Sequence, residues 1–450
     1  MKKVLLLMPD AHMHTIKIGS ISKSLREAPL TLTTLAAMID SSRFEIKIID
    51  ESVDNVPHNY QPDIVGISTL TGTACRAYRF ANYYMNKGIT VVLGGPHVTI
   101  LPEEASLHAS SIVIGMAENI WPQLLIDFEN NALKPRYEDN DRNKSVILSG
   151  VPAPRYDLQR RSGYVIPDTI QATRGCMRRC DFCSVSAIWP KFYRRPIAEV
   201  IRDIKLLPGK RIAINDVSLV DDVQYAKELF SAMIPLGKTW GGLATVQVAE
   251  DDELLDLMQA SGCTYLLIGF ESFNQESLRK IKKRFNQINH YHDVVQKLHD
   301  HGIMVQGTMV FGFDEDTFDV FQETIDRVQE LNIDIPRYSI YTPYPGTPLY
   351  ARLTEEKRII SHNWEDYDTM HVVFQPARMT VDELFNGFKW AYKETFKFGR
   401  IIKRVPPSFS IKTAINFMGN ATYKLFVSRL NKDMRYISPN SYTDNRPLFY

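Results

Sequence analysis

Arg174-Gly175-Cys176-Met177-Arg178-Arg179-Cys180-Asp181-Phe182-Cys183 is the stretch on which the reading of this chain turns. Three of the five cysteines lie in it, spaced C-x3-C-x2-C. Thiolates this close in sequence can converge on one metal centre. A [4Fe–4S] cluster ordinarily takes four cysteines, so three local ones leave one iron open to a ligand that is not protein. That arrangement suits chemistry at the cluster better than electron storage. The competing reading is a zinc clip. Zinc wants four protein ligands, often in two separated pairs, and no second pair exists. Cys75, on an expected helix, and Cys263, between an expected helix and strand, read as ordinary free thiols.

Working outward, strand-like and helix-like segments alternate on both sides of the cysteines. Downstream, Tyr164–Ala172 leads into the loop. Strands are then expected at Arg211–Val217, Gly242–Val248, Tyr265–Phe270, Met304–Phe311 and Arg337–Tyr341, with helical segments between them. About six βα units make a partial barrel, whose active residues belong at the carboxyl ends of the strands. Asn215-Asp216, Gln247, Gly269-Phe270-Glu271-Ser272, Gly307-Thr308 and Tyr338 stand there. Upstream, apolar runs at Lys3–Met8, Phe44–Ile49, Asp63–Ser68, Thr90–Leu93 and Ile112–Ile114 alternate with helical stretches, as in a Rossmann-like sheet. Ligands bind such sheets beyond the strand ends. No G-x-G-x-x-G follows the first strand, which disfavours a dinucleotide.

The fold class expected is therefore α/β: a Rossmann-like domain over 1–130, a polar, turn-rich connector over 131–165, a partial (β/α)6 barrel over 166–350, and a mainly helical extension over 351–450. In the extension, Thr380 and Glu383 form a capping box for a long amphipathic helix running to about Phe398. Beyond it Lys393, Lys397, Arg400, Lys403, Arg404, Lys412, Lys424, Arg429, Lys432 and Arg435 make a basic, aromatic-rich tail. It reads either as a solvated helical face or as a peripheral contact with a membrane or a lipid-like molecule.

A net charge of +1 argues against a broad nucleic-acid surface. Few, clustered cysteines do not read as a disulfide framework. The apolar start MKKVLLLMPDAH is too short for a signal peptide and reads as a first strand, and no apolar run reaches the length of a membrane span. The expected location is cytoplasmic.

The cysteine cluster resembles the signature of the radical S-adenosylmethionine (SAM) superfamily. The resemblance implies a [4Fe–4S] cluster on Cys176, Cys180 and Cys183, SAM on the open iron, and reductive cleavage of SAM to a 5′-deoxyadenosyl radical. Phe182 matches the aromatic that lies beside the adenine. Ile268-Gly269-Phe270-Glu271-Ser272 resembles the family's fourth-strand motif, which implies that Glu271 contacts SAM. A helix cap or a buried salt bridge is its plain alternative. Asp216, Gln247 and Thr308 are the further SAM-side candidates, and a structural role for Asp216 stands level with the functional one.

The upstream domain is similar to cobalamin-binding domains, through Ser68-Thr69-Leu70 and Leu93-Gly94-Gly95-Pro96-His97. The resemblance implies that Ser68, Leu70, Gly94, Gly95, Pro96 and His97 line the cofactor's nucleotide tail. Two departures stand out. Asp10-Ala11-His12 carries only half of the cobalt-ligating Asp-x-His-x-x-Gly, so His12 reads first as a polar loop residue. Gly115-Met116-Ala117-Glu118 replaces the usual Gly-Glu-Gly-Glu. An empty scaffold domain is the bland alternative.

Taken together the chain resembles the cobalamin-binding radical SAM family, in the subgroup with an extra C-terminal domain of unknown function. The first functional reading is a cobalamin-dependent radical SAM methyltransferase. It would act on an unactivated carbon of a small-molecule or lipid-like substrate, with a reductant such as flavodoxin or ferredoxin. The second is a radical cyclisation, C–C coupling or oxidation without methyl transfer. A non-catalytic sensor is the third.

Overall fold

Val4-Leu5-Leu6-Leu7 offers no polar face, and the fold shields both of its sides: all four residues are fully buried. In the computed structural model, which describes residues 1–10, 15–18, 21–57, 59–139, 146–405, 411–433 and 448, they lie in Lys2–Met8, inside a six-stranded sheet. The order across it is Phe44–Asp50, Lys2–Met8, Ile64–Ser68, Thr90–Gly94, Ser111–Ile114, Arg136–Glu138, all parallel. The last strand falls within the expected connector. Separate apolar clusters cover the two faces, one built on Ala77, Phe80 and Tyr84, the other on Leu32, Trp121 and Leu124. The order reverses between Lys2–Met8 and Ile64–Ser68, and such a switch opens a crevice at the strand ends. Ser68 stands at its rim.

The second sheet is also six-stranded and parallel, in plain sequence order: Thr169–Ile170, Arg211–Ile214, Thr239–Ala244, Cys263–Glu271, Met304–Phe311, Ile335–Ile340. This is the expected partial barrel. Two local expectations shift. The third strand starts and ends earlier than Gly242–Val248, because Val246–Glu250 winds into a 3-10 turn that carries Gln247. Cys263 opens its strand instead of preceding it.

A hairpin, Thr15–Ile18 with Ile21–Glu27, was not foreseen. Its second strand pairs in parallel with Tyr164–Ile166. Just beyond, the Ala28 carbonyl accepts from Thr169 Oγ1 at 2.8 Å. The first domain thus reaches the first strand of the barrel.

The extension is helical: Val381–Thr395, Phe398–Arg404 and Ile411–Asp433. Thr380 and Glu383 cap the first of these reciprocally, as their spacing implies. Part of the basic tail turns inward. Arg404 is buried on Thr395 O and Asn420 Oδ1, and Lys397 pairs with Glu394. Arg435 lies outside the described residues. Among the described residues no helix is long and apolar enough to cross a membrane.

Candidate functional site

The cysteine loop is held by its backbone. Gly175 adopts φ +84°, and a Cβ there would lie 2.2 Å from the Lys191 carbonyl oxygen. Only glycine allows that approach. Thr173–Arg174 pairs antiparallel with Tyr193–Arg194 just before the turn. Asp221 takes the Met177 N–H at 2.6 Å and the Ser218 hydroxyl at 2.7 Å. Asp181 N–H donates to Ile281 O, its carbonyl accepts from Leu349 N–H, and its carboxylate accepts from Tyr341 Oη at 3.2 Å. The proline-rich stretch after the last barrel strand therefore braces the loop from outside.

All three thiols are half-buried. Burial pushes Cys176 up to about 12 and Cys180 up to about 11, and raises Cys183 as well. Bare, they are protonated at neutral pH, so ligation must release their protons. Lys283 acts against this at Cys180 and Cys183. Among the described residues no three His, Cys, Asp or Glu side chains converge as on a single metal ion. A cubane, which sets its ligating sulfurs on separate irons, asks for a wider spacing. Three thiols on one braced loop, with Cys75 and Cys263 placed elsewhere, fit a [4Fe–4S] cluster with one open iron.

The expected SAM-side residues divide. Phe182 packs edge-on against Tyr341, centroids 5.9 Å apart. Glu271 sits on a strand irregularity at φ +67° and pairs with Lys283 Nζ at 2.5 Å. Lys283 also donates to Gly269 O at 3.0 Å. The plain alternative for Glu271, a buried salt bridge, is thus realised, and it lies beside the cysteines. Among the described residues Gln247 Oε1 is buried without a partner, an orphaned acceptor suited to a ligand N–H or O–H. Thr308 faces the same lumen, its hydroxyl 3.4 Å from Ile268 O. Asp216 does something else. It is 1% exposed, and its oxygens accept from Ala172 N, Thr173 N and Thr173 Oγ1 at 2.7–2.9 Å. It fixes the strand that delivers the cysteine loop.

On the other domain, Ser68 and Gly94 are register partners at adjacent strand ends. Gly95, at φ +101°, folds onto Thr69, where a Cβ would come within 2.9 Å of its N and O. Pro96 starts a short helix, Pro96–Ile100. Gly94 has ordinary room beside Val113. Leu70 is 41% exposed at the crevice, and Thr69 Oγ1 is buried with no partner among the described residues. An open apolar rim, a glycine turn and an orphaned hydroxyl fit the nucleotide tail of cobalamin. His97 is buried and turned away, its ring nitrogens 3.3 Å from Thr71 Oγ1 and 3.4 Å from Glu104 Oε1. It supports the turn from behind. His12 lies outside the described residues.

Replacing Gly95 by valine should tilt the turn off Thr69, since the left-handed backbone alone costs about 1–3 kcal/mol. The expected result is a protein that keeps its iron and loses cobalamin on gel filtration. Cobalamin retained at parity would show that the turn does not shape the crevice.

Two residues escaped the sequence reading. Lys283 belongs to a run of basic residues that gives no hint of burial. Glu118 pairs with Arg174 across the domains, both side chains largely buried. The Glu at the end of Gly115-Met116-Ala117-Glu118 was in view, but its partner could not be. The two sites meet face to face. The helix after Gly95 packs on Val185–Ile188, which follows Cys183, and Gly346 fits between Ile100 and Ala187.

Comparison with known proteins agrees with this geometry. Residues 3–125 match the B12 binding domain and residues 170–328 the Radical SAM superfamily. The chain is 31% identical to bacteriochlorophyllide d C-12(1)-methyltransferase of Chlorobaculum tepidum, covering 90% of this chain and 89% of that protein. It is 29% identical to the C-8(2)-methyltransferase of the same organism, over 84% and 87%. In fold it is similar to TsrM of Kitasatospora setae, a radical SAM methyltransferase solved with cobalamin and a [4Fe–4S] cluster, at TM-score 0.65 and 15% identity, covering 96% of this chain and 100% of that one. With both halves matched, and a relative of this identity aligned along nearly its whole length, the protein belongs to the cobalamin-binding radical SAM enzymes.

Proposed function

We propose that the protein is a cobalamin-dependent radical SAM methyltransferase that alkylates an unactivated carbon of a bulky, largely apolar small molecule. One observation carries this reading. The Gly94-Gly95 turn and the Cys176–Cys183 loop are locked against each other through the helices that follow them. A fold that served only one of the two cofactors would not need that contact. When bound, the cluster supplies a hydrogen-abstracting radical from SAM and the cobalamin supplies a transferable methyl group.

The chain's own work is placement. Asp216, Asp221 and Asp181 fix the cysteine loop. Glu271, Lys283, Gln247 and Thr308 line the lumen where SAM would lie. Ser68, Leu70, Gly94, Gly95 and Pro96 shape the cobalamin crevice, with His97 behind it. The proposed domains are 1–130, 131–165, 166–350 and 351–450, with Arg136–Glu138 of the connector adding the edge strand to the first sheet. The two relatives on bacteriochlorophyllide d support a cyclic tetrapyrrole as the first substrate class. Reduction by a flavodoxin or ferredoxin, in the reducing cytoplasm, completes the reading.

The test is anaerobic turnover of the reconstituted protein with deuteromethyl-SAM, a reductant and bacteriochlorophyllide d. Formation of 5′-deoxyadenosine, S-adenosylhomocysteine and a product heavier by one labelled methyl is expected. Formation of 5′-deoxyadenosine with an altered but unlabelled product would replace methyl transfer by cyclisation or oxidation.

A further inference from the structure

The last barrel strand, Ile335–Ile340, alternates from Pro336 onward. Tyr338 points outward, its hydroxyl 2.7 Å from Thr395 Oγ1 and its N–H donating to Tyr392 Oη at 3.0 Å. Its neighbours Arg337 and Ser339 therefore face the lumen. Arg337 lies in register beside Thr308, and Thr308 beside Gly269. The Glu271–Lys283 pair flanks that same glycine. Arg337 thus shares the inner wall with the residues next to the cysteines.

The polar groups around it are occupied with one another. Tyr265 donates its hydroxyl to Gln306, and Gln306 Nε2 donates to Tyr423 Oη at 2.6 Å. Arg337 is not so occupied. It is half-buried, and among the described residues it makes no hydrogen bond and no ion pair; Tyr423, Tyr392, Tyr265 and Glu27 act on it only through space. The contrast with the buried arginines is plain: Arg76 pairs with Glu51, Arg195 with Asp203, and Arg404 bonds Thr395 and Asn420. A lumen-facing guanidinium with no anion in contact keeps its N–H donors available to a ligand's oxygens.

We propose that Arg337 anchors the substrate by receiving an oxyanion, a carboxylate first and a phosphate second, so that the apolar body extends toward the barrel mouth. The planar fork of Arg matches a carboxylate through two parallel hydrogen bonds. This rests on the proposed methyltransferase function and adds that the substrate enters the same lumen as SAM. It adds that the substrate is an acid, and that neutral analogues are discriminated against at one residue.

The first arm of the test is binding. The reconstituted wild type, R337Q and R337K are titrated with bacteriochlorophyllide d and with its methyl ester, by quenching of tryptophan fluorescence. The wild type should prefer the acid by at least about 10-fold, R337Q should bind both forms equally, and R337K should keep part of the preference, since a charged hydrogen bond contributes about 1.5–3 kcal/mol. Equal binding of acid and ester by the wild type, or an unchanged preference in R337Q, would overturn the proposal. Because Arg337 makes no hydrogen bond or ion pair among the described residues, R337Q should melt with the wild type.

The second arm does not depend on the tetrapyrrole. A metabolite extract of the native cells is turned over with deuteromethyl-SAM as it stands, after esterification of carboxylates, and after phosphatase treatment. A labelled product that vanishes on esterification supports a carboxylate anchor, and one that vanishes only with phosphatase supports a phosphate. A labelled neutral product overturns the anchor. A labelled acid that is not a tetrapyrrole leaves the anchor standing and corrects only the substrate class.

Discussion

Valine at position 175 should abolish cluster assembly while the upstream domain goes on retaining cobalamin. The argument is steric at two levels. Position 175 sits at φ +84°, where a β-branched residue pays about 1–3 kcal/mol in backbone strain. Even a lone Cβ would stand 2.2 Å from the Lys191 carbonyl, which is backbone and cannot swing aside. Relief requires parting Thr173–Arg174 from Tyr193–Arg194. That ladder aims Cys176, and Asp221 and Asp181 then have no loop to hold. Iron and sulfide content should fall to background, and SAM cleavage should be lost with them. Cobalamin binding, read by absorbance after gel filtration, should persist, because the Ser68–Gly95 region makes none of these contacts. Wild-type iron content in G175V would refute the account.

Breaking the Arg174–Glu118 pair should produce a large loss of stability. Burial works against the charge on both groups, yet each holds the other ionised, with Glu118 lowered and Arg174 raised from their ordinary values. Removing one partner leaves the other charged and largely buried, which costs about 3–5 kcal/mol. R174Q and E118Q should each loosen the contact between the domains, measured as faster hydrogen exchange over residues 111–120 and 170–176. R174M combined with E118L removes both charges and should recover most of the loss, since the penalty belongs to the stranded ion. Additive losses in the double variant would show that the two side chains do not act as a pair.

The sequence was most readable where chemistry or periodicity is local. Three thiols in one short loop need no tertiary information, and the apolar runs of both sheets mark buried parallel strands directly. The turn at Gly94-Gly95 was legible for the same reason, although Gly95 makes room for Thr69, its own neighbour in the fold. What stayed hidden depends on partners far along the chain. Lys283 is one lysine in a basic run until the barrel folds it onto Glu271. Glu118 looks like a loop carboxylate until Arg174 arrives from the other domain. Asp216 stands at a strand end where a ligand contact is expected, and only the fold shows that Ala172 and Thr173 take up its oxygens. The hairpin at 15–27 was missed because its pairing with Tyr164–Ile166 is set by the meeting of the domains.

That pairing has a bearing on synthesis. Ile21–Glu27 leaves the ribosome well before Tyr164–Ile166 and stays half-paired until the connector has been made. An unpaired strand edge is a template for association with other chains, and non-local pairing is slow to form. The upstream domain is therefore born with one adhesive margin that only the rest of the same polypeptide can close. A chain that stopped before Tyr164 would leave that margin uncovered, so the two halves are joined by more than a tether.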